Sequence, residues 1–339
     1  MERGHCGGRS PRSRIQRALT RVDLAEARDP LHRSTYALAD ALLCVQSDDQ
    51  AFQNRFAQNY GECAVSPFGR DPDVILRVRT LVDDVVLATF SGPEDPLHGF
   101  PADFLPARQA VASAGKSGWH VADFDHPVGS VAYGPQGLAA TLDSPWEALF
   151  ASVAVNRALS AQPQIMFFHG AAVRVNGRGV LLLGESGSGK TSVSLALAAR
   201  GHDFYGDDIV GVRLDSRSIV PVRRAAHVRT GPAAPDVAQT VGDRRLVDVS
   251  QHFPQAGSAA TVLDVLVCLR HFTAQTQVTP FVPTARDLRW VTPHVGSLYA
   301  GPLAHRTMRV VSLFSTSTCF FLDSASPASA ASALEELTE

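Results

Sequence analysis

A glycine-rich stretch, Gly184-Glu-Ser-Gly-Ser-Gly-Lys-Thr191, constrains the fold of this chain more than any other feature of its sequence. It follows the pattern G-x-x-x-x-G-K-[ST], with the apolar run VLLL before it and the helical pattern SVSLALAAR after it. A strand, loop and helix of this kind hold phosphates on backbone N–H groups at the helix N-terminus. We call residues 184–191 the glycine-rich loop, and we predict that it binds a nucleoside triphosphate with magnesium.

Each residue type in the glycine-rich loop has a physical reason. The glycines allow backbone conformations that other residues avoid, so that successive N–H groups can turn toward phosphate. Lys190 would bring positive charge to the β- and γ-phosphates, and the Thr191 hydroxyl would be a magnesium ligand. A glycine-rich turn that merely caps a helix is the alternative, but it explains neither of these residues. The predicted nucleotide-binding residues are Gly184, Glu185, Ser186, Gly187, Ser188, Gly189, Lys190, Thr191 and Ser192.

A pair of aspartates follows the helix of the loop. Gly201 is the expected end of that helix, and an apolar stretch then leads to Asp207 and Asp208. Adjacent residues of a strand point to opposite faces, so one carboxylate can face magnesium while the other approaches an incoming hydroxyl. An ordinary turn is the alternative for this pair. His169 is a further catalytic candidate, with a satisfied core histidine as its alternative.

Composition excludes several classes of protein. Lys+Arg 31 and Asp+Glu 33 give a formal net charge of -2, which indicates neither nucleic acid nor an anionic membrane as partner. The 5 cysteines form no C-x-x-C pair and therefore predict neither a zinc site nor a disulfide framework. No apolar run reaches the ~20 residues of a membrane-spanning helix. We expect a cytoplasmic protein with reduced thiols.

Patterning predicts three parts: a disordered basic tail at 1–33, a small N-terminal α+β domain at 34–143 and a catalytic domain at 144–339. In the third part, residues 166–175 and 178–185 read as a two-stranded hairpin around an Asn-Gly turn, and 203–214 reads as one further strand. The segment 308–323 reads as a strand region that precedes a C-terminal helix.

Two further groups of polar residues have ambiguous patterns. The arginines Arg223, Arg224 and Arg229 follow a strand pattern, and they could contact phosphate or an acidic substrate or else form a solvated edge. The second group combines histidine with aspartate as metal sites do, but its spacing fits no known site and suits a turn. It consists of His120, Asp123, Asp125 and His126.

The segment FFHGAAVRVNGRGVLLLGESGSGKTSVSLALAARGHDFYGDDIVGVR, residues 167–213, resembles the catalytic core of the HPr kinase/phosphorylase family and its HPr-kinase-like relatives. That family is in turn similar to ATP-dependent phosphoenolpyruvate carboxykinase. The resemblance includes a His-Gly pair before the hairpin, the glycine-rich loop, the run A-L-x-x-R-G-H and the closing Asp-Asp. It implies an α/β (α+β) fold with a C-terminal kinase domain of the HPr kinase/phosphoenolpyruvate carboxykinase type.

The resemblance also implies a role for each matching residue. Asp207 falls on the catalytic aspartate, which would act as general base on a protein hydroxyl. Asp208 and His169 match the neighbouring acidic and histidine positions of that site, and we assign Asp208 to the metal together with Thr191. Lys190 matches the phosphate position. The resemblance also implies ATP and Mg²⁺ as cofactors and a homo-oligomer as the assembly.

The chain departs from the family at one signature. The L-E-I-R-G motif of the family would supply an acidic metal ligand and substrate contacts. This motif has no counterpart between residues 215 and 300 of the chain. The sequence therefore does not identify the molecule that accepts the phosphate. We expect an ATP-dependent kinase that phosphorylates a hydroxyl, foremost serine, of a protein or peptide. The alternatives are a small-molecule kinase or carboxykinase-like enzyme, and a non-catalytic peptide-binding protein that is switched by nucleotide.

Overall fold

A computed structural model of the chain divides into two compact units. Met1–Ala57 and Ala64–Ala161 form unit 1, and Gln58–Cys63 and Gln162–Glu339 form unit 2. The sequence placed the start of the second domain at 144, but the helix expected to open it belongs to unit 1. The structure describes residues 10–21, 32–66, 69–91, 119–123, 128–134, 137–229, 239–241, 244–284, 287, 291, 294–295 and 303–339.

Unit 1 contains an eight-stranded sheet and helices that cover it. The strand order is β3-β1-β2-β4-β5-β8-β7-β6, with most neighbours antiparallel. Aromatic side chains of the helices pack together, as in the Phe52–Trp146 pair, whose ring centroids lie 5.2 Å apart. The elements are α1 Pro11–Arg21, β1 His32–Leu38, β2 Ala41–Ser47, α2 Gln50–Tyr60, β3 Ala64–Val65, β4 Val74–Leu81, β5 Val85–Phe90, β6 His120–Asp123, β7 Ser130–Gly134, β8 Gly137–Thr141 and α3 Trp146–Ser160.

The basic N-terminal segment is partly ordered, which corrects the expectation of a disordered tail over 1–33. Its helix α1 buries Ile15, Ala18 and Leu19 in one hydrophobic cluster with strand residues of the sheet. These three lie at helical spacing on one face, so Arg17, which lies between them in sequence, can remain nearer the surface while the helix packs. Residues 1–9 and 22–31 of the expected tail lie outside the described residues.

Unit 2 contains a six-stranded mixed sheet, ordered β12-β10-β11-β18-β20-β19, and two three-stranded sheets, β14-β13-β9 and β15-β17-β16. In the largest sheet β11, β18 and β20 are parallel neighbours. The strands are β9 Ile165–Phe168, β10 Ala171–Val175, β11 Arg178–Gly184, β12 Asp203–Asp207, β13 Val210–Arg213, β14 Ile219–Val220, β15 Ala226–Arg229, β16 Gln239–Val241, β17 Arg244–Val247, β18 Leu263–Phe272, β19 Gln277–Phe281 and β20 Thr318–Ser324. The helices are α4 Lys190–Ala199, α5 Val249–His252, α6 Leu303–Ser315 and α7 Pro327–Thr338.

Two strands that the sequence presents as continuous are each broken in the structure. The first breaks at His169-Gly170, between β9 and β10, and the second breaks at Asp208-Ile209, between β12 and β13. In both cases the chain leaves one sheet and enters another: β10 pairs with β12, whereas β9 pairs with β13. Because both breaks lie at the same level of the paired strands, they bring residues from distant parts of the sequence together.

Other local predictions for unit 2 had mixed outcomes. The Asn176-Gly177 turn is present, with φ of 49° and 84°. The helix after the loop is α4, and Gly201 follows its end with φ 90°. The segment 308–315, which was read as part of a strand region, is the last part of helix α6. That interpretation was wrong because Val310, Leu313 and Phe314 lie at helical spacing and are buried on one face.

The two units together have the mixed α/β class that the sequence predicted, so this prediction is confirmed. Among the described residues, no helix has both the length and the apolar character needed to cross a membrane.

Candidate functional site

The glycine-rich loop connects the end of β11 to the start of α4. Gly184, Gly187 and Gly189 have φ of 152°, 87° and 94°, which L side chains rarely adopt. Close packing is a second requirement at Gly184, since a Cβ there would lie 2.5 Å from the carbonyl oxygen of Leu269. Glycine is therefore needed at these positions for backbone conformation and for space.

Lys190 is buried within the loop, with 7% of its surface exposed. Its Nζ donates to the carbonyl oxygens of Gly184 at 2.7 Å and Glu185 at 3.1 Å. Burial lowers the pKa of this ammonium, and the nearby Asp207 and Asp208 partly oppose that change. The backbone of the glycine-rich loop thus surrounds the Lys190 ammonium.

The remaining loop residues differ in exposure. Glu185, Ser186 and Gly187 are exposed at the tip, while Thr191 and Ser192 are half-buried in the first turn of α4. The Ser188 hydroxyl oxygen is buried, and no hydrogen-bond partner lies near it among the described residues. An unsatisfied buried hydroxyl is costly, so this oxygen is suited to a polar ligand seated in the loop.

The two strand breaks place the predicted acidic residues and the histidine together, next to the start of α4. Thr191 Oγ1 donates to Asp207 Oδ2 at 2.8 Å. His169 Nδ1 lies 2.7 Å from Asp208 Oδ1. The residues 169, 190, 191, 207 and 208, far apart in sequence, therefore converge at one site.

The two neighbouring aspartates have opposite electrostatic environments. Asp207 is 4% exposed, and desolvation raises its pKa to about 6 although the hydrogen bond from Thr191 acts the other way. Asp208 also experiences desolvation, but the charge of Arg224 and the hydrogen bond with His169 outweigh it and hold the pKa of this carboxyl well below its usual range. Asp208 is thus firmly ionised, whereas Asp207 can exchange a proton near neutral pH.

Arg224 is a member of this site whose place the sequence left open. Its Nη1 lies 2.8 Å from Asp208 Oδ2, and only 17% of its side chain is exposed. A hydrogen bond to Tyr60 engages the guanidinium as well. The alternative of a solvated edge is therefore wrong for this residue, and its partner is a carboxylate of the chain itself. We call His169, Asp207, Asp208 and Arg224 the strand-break cluster.

The segment Gln58–Cys63 contacts the strand region that contains Arg224. Arg223 Nε lies 2.7 Å from Glu62 Oε2, and His227 Nε2 lies 2.8 Å from Asn59 Oδ1. This explains why the segment groups with unit 2 although it comes from the N-terminal half of the chain. No pattern in the sequence indicates such a contact.

His294 is another neighbour that the sequence did not single out. Its carbonyl oxygen accepts from the His169 backbone N–H at 2.7 Å, and the two rings stack with centroids 6.4 Å apart. Burial, helped by the charges of Lys190 and His169, lowers the pKa of His294 to about 4. This histidine is therefore a neutral support of the exposed His169 ring.

The remaining candidates have other contacts or lie outside the described residues. Arg229 lies in β15, and nothing is described for its side chain. In the second polar group, His120 stacks on Tyr133 with centroids 5.5 Å apart, and Asp123 accepts from Ser130 at 2.5 Å. The other two members of that group, at 125 and 126, lie outside the described residues.

The donor set at the loop fits a metal that also binds phosphate. Within the described part of the chain, no group of three or more His, Cys, Asp or Glu side chains could hold a metal by itself. Thr191 and the two aspartates offer hard oxygen donors, and magnesium typically combines one or two such ligands with phosphate oxygens and water. Both oxygens of Asp208 have partners in His169 and Arg224, and these partners hold this carboxylate in the ionised form that a metal needs.

Comparison with known proteins bears on this same part of the chain. Residues 160–229 match the family model described as the HPr serine kinase C-terminal domain. This range includes the glycine-rich loop and the whole strand-break cluster.

Individual relatives match over short stretches. HPr kinase/phosphorylase of Chlorobium phaeovibrioides is 46% identical over 52 residues, which cover 15% of this chain and 16% of the relative. The protein of the same name from Caldanaerobacter subterraneus subsp. tengcongensis is 55% identical over 51 residues, with the same coverage of 15% and 16%. The chain thus spans about one sixth of the length of the curated relatives it matches.

A solved structure of the HPr(Ser) kinase/phosphatase from Coxiella burnetii is similar over 34% of this chain and 77% of that chain, with 18% identity and a TM-score of 0.23. The similarity to HPr kinases is therefore carried by the sequence matches and not by this structural likeness. Residues 160–229 of this chain are therefore similar in sequence to the C-terminal domain of HPr serine kinases.

Proposed function

We propose that unit 2 is an ATP-dependent kinase that transfers the γ-phosphate to a hydroxyl, foremost serine, of a protein or peptide in the cytoplasm. The observation that carries the proposal is the convergence of Lys190, Thr191, Asp207, Asp208 and His169 at the N-terminus of α4. Phosphoryl transfer requires a phosphate cradle beside a group that accepts the proton of the nucleophile, and these residues supply both.

The glycine-rich loop would hold the triphosphate of ATP. Lys190 would exchange its present carbonyl partners for phosphate oxygens, and the unsatisfied Ser188 hydroxyl would donate to the same group. Magnesium bound at Thr191 and Asp208 would supply charge neutralisation for the transferred phosphoryl group. Burial now disfavours the charged form of Lys190, and a bound triphosphate would place negative charge beside this ammonium.

Asp207 would act as general base. The acceptor oxygen forms a bond to the γ-phosphorus, the bond from that phosphorus to the ADP oxygen breaks, and the acceptor proton passes to the Asp207 carboxylate. The raised pKa of Asp207 supports this role because a base is most effective when its pKa lies near the working pH. Asp208 stays ionised beside Arg224, and His169 can hold the acceptor from the solvent side.

Two alternatives differ in the fate of the phosphate. A small-molecule kinase or carboxykinase-like enzyme would use the same residues, since nothing in their geometry selects a protein. A nucleotide-switched peptide-binding protein would use the loop without transfer. The names of the relatives, which refer to the protein HPr, favour a protein acceptor. Assembly into homo-oligomers stays a prediction from the resemblance.

Incubation of the purified protein with γ-labelled ATP, magnesium and an extract of its own cells separates these functions. We expect label on a protein band, stable to acid as phosphoserine is. Label on a small molecule alone would replace the proposal with the small-molecule kinase. Release of phosphate without any labelled acceptor would favour the nucleotide switch, and absence of magnesium-dependent ATP binding would overturn all three.

A further inference from the structure

A half-exposed phenyl ring lies beside the glycine-rich loop and has no part in the reaction described above. Phe272 is the last residue of β18, and 56% of its surface is exposed. Among the large apolar residues that are exposed in the described part of the chain, it is the only aromatic one. Apolar area of this size left in water costs free energy that a ligand packing on the ring would recover.

The position of the ring follows from the sheet. β18 is the parallel neighbour of β11, with Leu269 opposite Gly184, so the two strands end at the same edge where the loop begins. Between Leu269 and Phe272 the register of β18 against β20 shifts. Such bulges reverse the side of the sheet to which the following side chain points, and they are common beside functional sites. The shift therefore decides where the Phe272 ring points.

The ring rests on the loop itself. A Cβ added to Gly189 would lie 2.9 Å from the ring atom Cζ of Phe272, closer than real Cβ contacts. Glycine at this position thus leaves room for the ring as well as providing φ of 94°. The next residue, Lys190, contributes its cation to the loop, so the phenyl group borders the proposed phosphate cradle directly.

We infer that Phe272 is the surface on which the base of the bound nucleotide stacks, and that it makes the site prefer a nucleoside triphosphate over bare polyphosphate. The inference rests on the proposed nucleotide binding and deepens it. Phosphate recognition by backbone and lysine does not distinguish ATP from inorganic tripolyphosphate, because both present the same oxygens. An exposed aromatic face next to that cradle does distinguish them, since only ATP has a π-face to stack on it.

Binding measurements with two probes test this inference without any acceptor. Isothermal titration of MgATP and of magnesium tripolyphosphate is compared for the natural chain, Phe272→Ala, Phe272→Leu and Phe272→Trp. Met308→Ala is the control, because this residue is also exposed and apolar, at 67%, but lies in α6. Phe272→Leu retains apolar bulk against Gly189 and removes only the aromatic face.

The expected result is selective. Phe272→Ala and Phe272→Leu weaken ATP binding about 5- to 150-fold, the range of base stacking on aromatic side chains, and change tripolyphosphate binding less than about twofold. Phe272→Trp and Met308→Ala bind both probes as the natural chain does. A new tryptophan signal in Phe272→Trp should be quenched by ATP and not by tripolyphosphate.

Three outcomes would overturn the inference: unchanged ATP binding in both the alanine and leucine variants, equal loss of both probes, or full ATP affinity in the leucine variant. The first would assign the ring to something other than nucleotide, such as an acceptor, and the second to support of the loop. If the natural chain binds neither probe, the proposed function fails rather than this inference. If Phe272→Ala does not fold, the leucine and tryptophan variants give the same decision.

Discussion

The glycine-rich loop and the strand-break cluster lie side by side but are built in different ways. The loop is one continuous stretch from Gly184 to Thr191, and its conformation depends on residues within that stretch. The cluster takes its members from three places in the sequence, and these meet because two strands break at the same level. A continuous motif can be recognised in a sequence, whereas an assembled site requires the fold.

The glycine-rich loop and the strand-break cluster are also suited to two different steps, phosphate binding and proton transfer. The loop, with its cation and its unsatisfied Ser188 hydroxyl, is suited to hold phosphate. The cluster contains a carboxyl with a raised pKa beside one with a lowered pKa, and this contrast is suited to proton transfer. If the division is correct, substitutions in the two regions should affect different steps.

The largest expected effect is on transfer when the cluster loses its base. Asp207→Asn should lower phosphoserine formation about 10²- to 10⁴-fold, the usual contribution of a positioned general base. Binding of MgATP by the loop should change little, as measured by calorimetry on the same preparation. Retention of full transfer would show that Asp207 is not the base.

The next largest effect concerns folding of the cluster. Arg224→Gln removes the partner of Asp208 from a largely buried position and should lower the free energy of unfolding by about 2–4 kcal/mol. Arg200→Gln is the matched control, since Arg200 and Glu335 form an exposed ion pair expected to contribute below ~1 kcal/mol. Urea unfolding measures both, and equal losses would mean that burial does not distinguish the two pairs.

The loop itself is tested by removing its cation. Lys190→Ala should weaken ATP binding about 10- to 100-fold, because a charge-assisted hydrogen bond contributes ~1.5–3 kcal/mol. Lys116→Ala, the other lysine of the chain, is the control and should bind normally. Equally tight binding by Lys190→Ala would remove the basis for phosphate recognition by the loop.

The last expected effect is a pH-dependent difference in stability between the two aspartates, in protein free of nucleotide and metal. The pKa of Asp207 is raised from 3.8 to about 6, so its ionisation opposes folding, and stability falls as pH rises through that window. Asp207→Asn should therefore raise the free energy of unfolding at pH 8 by up to about 2–3 kcal/mol and have little effect at pH 4.

The neighbouring carboxyl gives the matched control with the opposite sign. The pKa of Asp208 is lowered, so its ionised form supports folding above the ordinary carboxyl pKa and loses that contribution as pH falls. Asp208→Asn should therefore lower stability at pH 8. The same sign for both variants in urea unfolding would contradict the opposite environments described for them.

Sequence reasoning was most successful for structure determined by neighbouring residues. The Asn176-Gly177 turn, helix α4 with Gly201 after it and the C-terminal helix α7 follow from turn and capping residues. The α/β class and the family resemblance followed from the same continuous stretch, and the comparisons with known proteins support that resemblance.

Structure determined by distant residues could not be predicted in this way. The runs around His169 and Asp208 have uninterrupted strand patterns, because each half is buried in a different sheet and both halves are apolar. The hydrogen bond of Arg224 with Tyr60 and the contact of Glu62 with Arg223 join positions about 160 residues apart. The helix α6 was missed because its valines and phenylalanine favour strands locally, and only burial of one face selects the helix.

The backbone at Asp208 has a consequence for laboratory evolution of this protein. Its φ of 71° is one that glycine or asparagine adopts at lower cost than aspartate. A glycine replacement would relax the main chain, but it would also leave the largely buried Arg224 guanidinium without its anion, and that loss outweighs the relaxation. A screen that rewards thermal tolerance alone should therefore retain aspartate at this codon in spite of its unfavourable backbone conformation.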